Sequence, residues 1–404
     1  MPVNAVKDKR YRTRHKKVVD FKELQRLSIK LKKEGKKVVF TIGSFDLLNP
    51  GHCRYLAEAK AKGDVLVVGV SSDSSDMRTK GSMYPLVKQE IRAELVSYLK
   101  TVDYVTVVEE DRPHSVLILL QPDVFFTSDT DWGTGLRDPQ ERTILKMYGG
   151  KIIKRAKHEP FFSNDALVEH IANIRVLQIL ESYLKDRVGD FTLDPSKHLP
   201  PADFGKQIPN DKKAYDGNGM LVQTDDLAEL GNKLRSQGRS VVLVSGSYDL
   251  LHVGHARFIE QAGLLGDVLF VVIPADKSLR ELKGIGRPVI TEHSRAYVLS
   301  HLDPVDYVTV FSEHSVLDTL EKLKPDIFFT VDEAWNKGYK DSPEYRLVHE
   351  YGGKIVRVKR QAPFLSASTI IDRAAQEKVR DIFKECMDET KYQKILLEKP
   401  KNGK

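Results

Sequence analysis

Val241-Val242-Leu243-Val244-Ser245-Gly246-Ser247-Tyr248-Asp249-Leu250-Leu251-His252-Val253-Gly254-His255 is the stretch on which the fold turns. Its first four residues read as a short buried strand, and Gly254 to Gly263 carries a helical pattern. In an open parallel sheet, the junction between a strand and the following helix is where ligands bind. Small residues at Ser245, Gly246 and Ser247 let backbone N–H groups approach phosphate oxygens. His252 and His255 are spaced to sit side by side at a helix N-terminus, which already favours anions. A lone His-x-Gly-His string would read as two surface histidines. Its position after a strand and after Gly-x-Tyr-Asp is what gives it weight.

Outward from this stretch the chain repeats itself. One offset of 203 residues carries His52 onto His255, Gly43 onto Gly246, Lys80-Gly81 onto Lys283-Gly284 and Asp103-Tyr104-Val105 onto Asp306-Tyr307-Val308. The same offset carries Trp132 onto Trp335, Tyr148-Gly149-Gly150 onto Tyr351-Gly352-Gly353 and Ser163 onto Ser366. A shift held without a gap over so much chain is the duplication of a domain, since solenoid units repeat at much shorter periods. In the second copy a helical pattern around Leu227, Leu230 and Leu234 stops at Gly238. Apolar strands then fit Val241 to Val244, Val268 to Ile273, Tyr307 to Val310, Asp326 to Phe329 and Lys354 to Val358. Strands alternating with helices predict an α/β fold in which each copy is a mainly parallel sheet with helices on both faces.

The 404 residues suit two domains, and 41% hydrophobic with 30% charged residues is a globular composition. No apolar run approaches the ~18 residues of a membrane span, and no secretory leader is read at the N-terminus. Cys53 and Cys386 form neither a Cys-x-x-Cys pair nor a His/Cys cluster, so no disulfide framework or protein-held metal is expected, and a reducing, cytoplasmic setting is. The net charge of +7 is partly gathered in Lys7, Lys9, Arg10, Arg12, Arg14, Lys16 and Lys17. Such a tail either touches an acidic surface or nucleic acid, or is a solvated arm. The second is the simpler reading, because no aromatic platform accompanies it.

The Ser245 to His255 loop resembles the signature Gly-x-Phe/Tyr-Asp-x-x-His-x-Gly-His of the cytidylyltransferase-like nucleotidyltransferases, and the likeness is strongest to heptose 1-phosphate adenylyltransferase domains. Supporting stretches are Leu282 to Pro288, Val305 to Phe311 and Ser366 to Arg373. The resemblance implies two tandem Rossmann-like domains. It also implies attack by a phosphate oxygen of a small acceptor on the α-phosphorus of a nucleoside triphosphate, with Mg2+ accompanying the triphosphate and pyrophosphate leaving. That chemistry is mostly positioning and electrostatics. By this likeness His252, His255 and Lys283 are the catalytic cations and donors. Ser245, Gly246, Ser247, Tyr248 and Gly254, with Ser366, Ser368, Thr369 and Arg373 of a second signature, would hold the nucleotide. For the second signature an ordinary capped helix start is the bland alternative. Asp249 would orient substrate or loop, or make a structural turn contact, and Trp335 would face the nucleotide or pack in the core.

The first copy departs from the pattern. Asn49 replaces the first histidine, His170 stands where Arg373 does, and Asp165 stands at the position of Ser368. An uncharged amide and a carboxylate in two phosphate-binding elements predict little transfer chemistry there, although His52 and Lys80 remain. In the second copy Phe329-Thr330-Val331-Asp332 stands where the heptose enzymes show Lys-Gly-Gly-Asp, which leaves the acceptor open. ATP is favoured as donor. CTP stays open because tandem copies are also the arrangement of phosphoethanolamine cytidylyltransferases, and a nucleotide-binding sensor is the alternative of another class. The expected organisation is a basic tail at 1–20, a degenerate nucleotidyltransferase-like domain at 21–186, a linker at 187–222, the active domain at 223–376 and a charged extension at 377–404. The two copies are expected to pack as an internal pseudo-dimer, with further oligomerisation left open.

Overall fold

The computed structural model describes residues 17–82, 84–128, 139–155, 164–189, 220–284, 287–312, 316–332, 338–362 and 365–376. The first copy runs α1 (Phe21–Lys33), β1 (Val38–Gly43), α2 (Pro50–Lys60), β2 (Val65–Ser71), α3 (Asp73–Lys80), α4 (Gln89–Ser97), β3 (Tyr104–Val108), α5 (His114–Leu120), β4 (Val124–Ser128), α6 (Pro139–Tyr148), β5 (Lys151–Arg155) and α7 (Asn164–Val188). The second copy opens with β6 (Met220–Leu221), α8 (Leu227–Ser236), β7 (Val241–Ser245), α9 (Val253–Gly263), β8 (Val268–Pro274), α10 (Asp276–Lys283) and α11 (Glu292–Ser300). It continues with β9 (Tyr307–Phe311), α12 (Leu317–Leu323), β10 (Ile327–Val331), α13 (Pro343–Glu350) and β11 (Lys354–Val358). It closes with α14 over residues 367–376.

Local chemistry sets several of these boundaries. Asp20 caps α1, accepting from the Glu23 N–H at 2.7 Å while Glu23 accepts from the Asp20 N–H at 3.0 Å. Gly238, at φ +67°, takes the left-handed turn that stops α8. Two stretches that read as tail and linker belong to the sheets. Val18 bridges Val105, and at the matching place Met220–Leu221 pair with β9 as a sixth strand.

The strand orders are β3-β2-β1-β4-β5 and β11-β10-β7-β8-β9-β6. Among the described residues every pairing between neighbouring strands is parallel. Strand order reverses between β1 and β4 in one sheet and between β7 and β10 in the other. The signature loops leave the carboxyl ends of β1 and β7, at these switch points, where an open α/β sheet forms its ligand crevice.

The copies share their cores. One buried cluster joins Leu95, Val96, Tyr98 and Leu99 of the first copy to Phe258, Ile259, Tyr297, Val298 and Leu302 of the second. Another joins Leu86, Leu167 and Ile171 to Val289, Ile370 and Ala374. Leu99 and Leu302, equivalent under the 203-residue offset, bridge each other in antiparallel fashion. Around them the Lys100 N–H donates to the His301 carbonyl at 2.9 Å and the Asp303 N–H to the Tyr98 carbonyl at 2.8 Å. Equivalent residues exchanging equivalent bonds mark a pseudo-two-fold axis between the copies.

Candidate active site

After β7 the chain turns sharply at Tyr248, whose φ of 45° is uncommon for a bulky residue. The turn folds the tyrosine ring back under the loop. A Cβ at Gly246 would lie 2.9 Å from that ring, which explains the glycine. Phe45, at φ 51°, and Gly43 repeat the arrangement in the first copy. Asp249 is 1% exposed, and its carboxylate accepts from the Val289 N–H at 2.7 Å, the Ile290 N–H at 3.0 Å and the Arg287 guanidinium at 2.7 Å. These bonds tie the signature loop to the Arg287 to Ile290 segment. Ser245 ends β7, and Gly246 donates its N–H to the Val272 carbonyl at 3.2 Å.

His252 is the N-cap residue of α9 and His255 lies one turn on. Their rings stack with centroids 3.7 Å apart and planes 22° apart, and Tyr248 meets the His255 ring edge-on at 5.1 Å. The His252 N–H points at His255 Nδ1 from 3.4 Å, which leaves the proton of the neutral ring on Nε2, facing away from the helix start. His252 Nδ1 and the Tyr248 hydroxyl are buried with no hydrogen-bond partner among the described residues. Gly254 makes the stacking room, since a Cβ there would stand 2.9 Å from Ala362 and 3.1 Å from the His252 ring.

The electrostatics of this corner call for an anion. Burial, then the charge of Arg360, lowers His252 to about 4. His255 is held well below the usual imidazole range by burial, then by His252, Lys283 and Arg360. Lys283 donates to Ser247 Oγ at 2.8 Å, and burial followed by the nearby Arg287 lowers its ammonium. Arg360, two residues beyond β11, was not singled out in the sequence, where a charge after a strand looks like any solvated cation. Its field reaches both histidines and Lys283.

Two consequences are measurable. Both histidines are neutral in the folded protein and protonate near 6.5 when unfolded. Folded-state stability is therefore full above about pH 6.5 and falls as pH drops towards about 4. An anion seated here raises both pKa values, so anion binding takes up protons and tightens as pH falls from about 6.5 towards about 4. Calorimetric titration of inorganic triphosphate in two buffers of different ionisation enthalpy measures this. Zero proton uptake across that range would contradict this coupling.

The second signature opens α14. Thr369 donates its N–H to Ser366 Oγ at 3.1 Å and Ser366 donates its N–H to Thr369 Oγ1 at 2.9 Å, a reciprocal cap on α14, while Ser368 is exposed. Arg373 Nη1 donates to the Leu86 carbonyl of the first copy at 2.6 Å. The guanidinium whose charge reaches the histidine pair is Arg360, and Arg373 ties the two copies together. Trp335 lies outside the described residues, and the Asp165 side chain outside the described side chains.

The first copy has the same loop with its charges already answered. Asn49, 1% exposed, accepts from the His52 N–H at 3.2 Å and donates to the Leu47 carbonyl at 3.3 Å. Asp76, also 1% exposed, stands where the second copy has Leu279. Its carboxylate accepts from Ser44 Oγ at 2.6 Å and Ser71 Oγ at 2.8 Å. It also pairs with Arg92 at 3.2 Å and Lys80 at 3.5 Å. Ser44 and Lys80 are the counterparts of Ser247 and Lys283, so the groups a phosphate would use in this copy hold an internal carboxylate.

Fold and site define a duplicated parallel α/β protein with a histidine pair and cations at the switch point of its second sheet. The chain matches the Cytidylyltransferase-like family over residues 40–185 and again over 243–373, and it belongs to that family. It is 35% identical over 189 residues to the Bifunctional protein HldE of Desulfatibacillum aliphaticivorans, covering 46% of this chain and 35% of that protein. To the Bifunctional protein HldE of Nitratiruptor sp. it is 47% identical over 107 residues, covering 26% of this chain and 23% of that protein. The chain thus spans about a third or less of the length of these curated relatives. Among solved structures, the lipopolysaccharide core biosynthesis protein from Thermoplasma volcanium matches at 29% identity with a TM-score of 0.27, covering 30% of this chain and 98% of that one. No helix among the described residues is long and apolar enough to cross a membrane.

Proposed function

We propose that the second copy is a nucleotidyltransferase that joins a nucleoside monophosphate, AMP in preference to CMP, to a small phosphorylated acceptor such as a sugar or polyol phosphate. The observation that carries this reading is the stacked, neutral His252–His255 pair beside Lys283 and Arg360 at the carboxyl end of β7. An acceptor phosphate oxygen forms a bond to the α-phosphorus, the bond from that phosphorus to the bridging oxygen breaks, and pyrophosphate carries the electron pair away. His255 Nε2–H and Lys283 donate to oxygens on which charge builds, the kind of preorganised stabilisation that dominates such transfers. Among the described residues no group of three or more His, Cys, Asp or Glu could hold a metal ion. The cationic lining suits a magnesium ion that arrives on the triphosphate oxygens as part of the substrate.

Preference for ATP rests on the likeness of the loops to heptose 1-phosphate adenylyltransferase domains, and the tandem arrangement keeps CTP as the second reading. The test is pyrophosphate release from each of the four nucleoside triphosphates against sugar, polyol and amino-alcohol phosphates. Release with ATP and a sugar or polyol phosphate supports the proposal. Triphosphate binding without release from any pair moves the protein to the sensor class.

The first copy, in this reading, takes no triphosphate at its signature loop. Equilibrium binding is expected to give one triphosphate per chain. Asp76→Leu, which installs the counterpart of Leu279, is expected to open a second and weaker site. Two sites in the unaltered chain would show that Asp76 does not close the first.

A further inference from the structure

Helix α9 carries the histidine pair at its first turn, and the first copy grips the same helix just beyond it. Arg257, two residues past His255, donates from Nε and Nη2 to the two oxygens of Glu94 on α4 at 2.7 and 2.6 Å. One turn further, Glu260 accepts from the Tyr98 hydroxyl at 2.8 Å. A bidentate guanidinium–carboxylate pair fixes orientation as well as distance. The opposite side of α9 is fixed by the buried side chains of Ala256, Ile259 and Ala262. The helix is therefore held between its own sheet and its sister domain.

The pseudo-two-fold axis supplies an internal control, because a contact kept only for docking would recur on both sides. It does not recur. The counterpart of Glu94 is Tyr297, that of Glu260 is Ala57 and that of Tyr98 is His301. Arg54, the counterpart of Arg257, lies over the Tyr297 ring at 5.4 Å. The mirrored helix α2, which starts at Asn49 in place of a histidine, thus meets an aromatic face where α9 meets a carboxylate. A bidentate ion pair to the sister copy thus holds α9, the helix that bears both histidines, where the matching arginine of α2 meets an aromatic ring.

The geometry points to Glu94 and Tyr98 of the first copy as positioning residues for the histidine pair of the second, acting through Arg257 and Glu260 on α9. The first copy then contributes side chains to the aim of the site as well as cover for its core. This inference rests on the transfer reading of the site for its kinetic consequence and on geometry alone for its effect on the histidines.

Misplacement of a reacting group by ~1 Å from a remote change can cost ~10²-fold in rate. In the full chain, Glu94→Gln and Arg257→Gln are each expected to lower kcat for pyrophosphate release roughly ten- to hundredfold, with KM for the triphosphate nearly unchanged. The exchanged pair Glu94→Arg with Arg257→Glu should recover much of the loss, and Arg54→Gln on the mirrored side should leave turnover as it was. A second measurement needs no turnover. The imidazole proton resonances of His252 should titrate near 4 in the unaltered chain and move upward in Glu94→Gln as water reaches the loosened helix start, with no shift in Arg54→Gln. An unmoved titration in Glu94→Gln, or equal kcat losses in Glu94→Gln and Arg54→Gln, overturns the positioning role. A chain that releases no pyrophosphate while its His252 titration still moves keeps this inference and discards the transfer reading.

Discussion

His255→Ala is expected to lower turnover by ~10²–10³-fold, the usual cost of removing one preorganised donor from a site of this kind, while His52→Ala leaves it nearly unchanged. The two histidines are equivalent under the repeat and are held alike. Each sits one turn into a helix, with its Nδ1 facing the N–H of the residue that starts that helix, at 3.3 Å for His52 and 3.4 Å for His255. Burial is the first cause that lowers each imidazole. They differ in their neighbours. His255 stacks on a second imidazole and faces Lys283 and Arg360, whereas His52 stands beside Asn49 in a loop whose lysine pairs with Asp76. In the first loop an internal carboxylate answers the lysine, and in the second Lys283 donates to Ser247 with the charge of Arg360 nearby. His252→Ala should match His255→Ala, because it removes the other half of the stack. Steady-state pyrophosphate release, with circular dichroism to show that the folds are kept, is the measurement. Equal losses from His52→Ala and His255→Ala would overturn the assignment of a single active site to the second copy.

The fold was legible because its determinants are local or periodic. A four-residue apolar strand, a small-residue turn and a helix pattern are written within Val241 to Gly263, and the 203-residue offset writes them twice. The histidine pair was legible for the same reason, since both rings come from one helix start. What was hidden depends on convergence from separate elements. Asp76 gains its meaning only when Ser44, Ser71, Lys80 and Arg92 come together around it. Its one signal in the sequence is the mismatch of a carboxylate with Leu279 at the same offset. Arg360 follows a strand and is indistinguishable by composition from a solvated cation. Asp249 was readable as important, while its three hydrogen bonds from the Arg287 to Ile290 segment, some 40 residues on, were not. For Arg373 the helix start was legible and the partner was not, because Leu86 lies 287 residues away in the other copy.

Residues 220–404 expressed alone are expected to self-associate and to lose most of their turnover. The reason lies in the shared cores. In the whole chain Phe258, Tyr297, Val298 and Leu302 are buried in one cluster with Leu95, Val96, Tyr98 and Leu99 of the first copy. Burying a side chain of this size is worth ~1.5–3 kcal/mol, so uncovering four of them costs roughly 6–12 kcal/mol. That is comparable with the ~5–15 kcal/mol by which whole domains are stable. Polar groups lose partners too. Lys100, whose ammonium burial lowers to about 8, donates to the Ser300 and Val305 carbonyls at 2.8 Å each. Without it those carbonyls, the Glu260 carboxylate and the Arg373 guanidinium must all find water at a face that is otherwise apolar. Self-association of the fragment is then the cheapest way to cover that face, because the surface was built around a two-fold axis and is close to self-complementary. Light scattering after size-exclusion chromatography, together with pyrophosphate release by the fragment, measures both halves of the expectation. A soluble, fully active monomer would show that the first copy neither covers nor aims the second. The apolar core that the first copy retains would then have to be explained by another role, such as binding a ligand of its own.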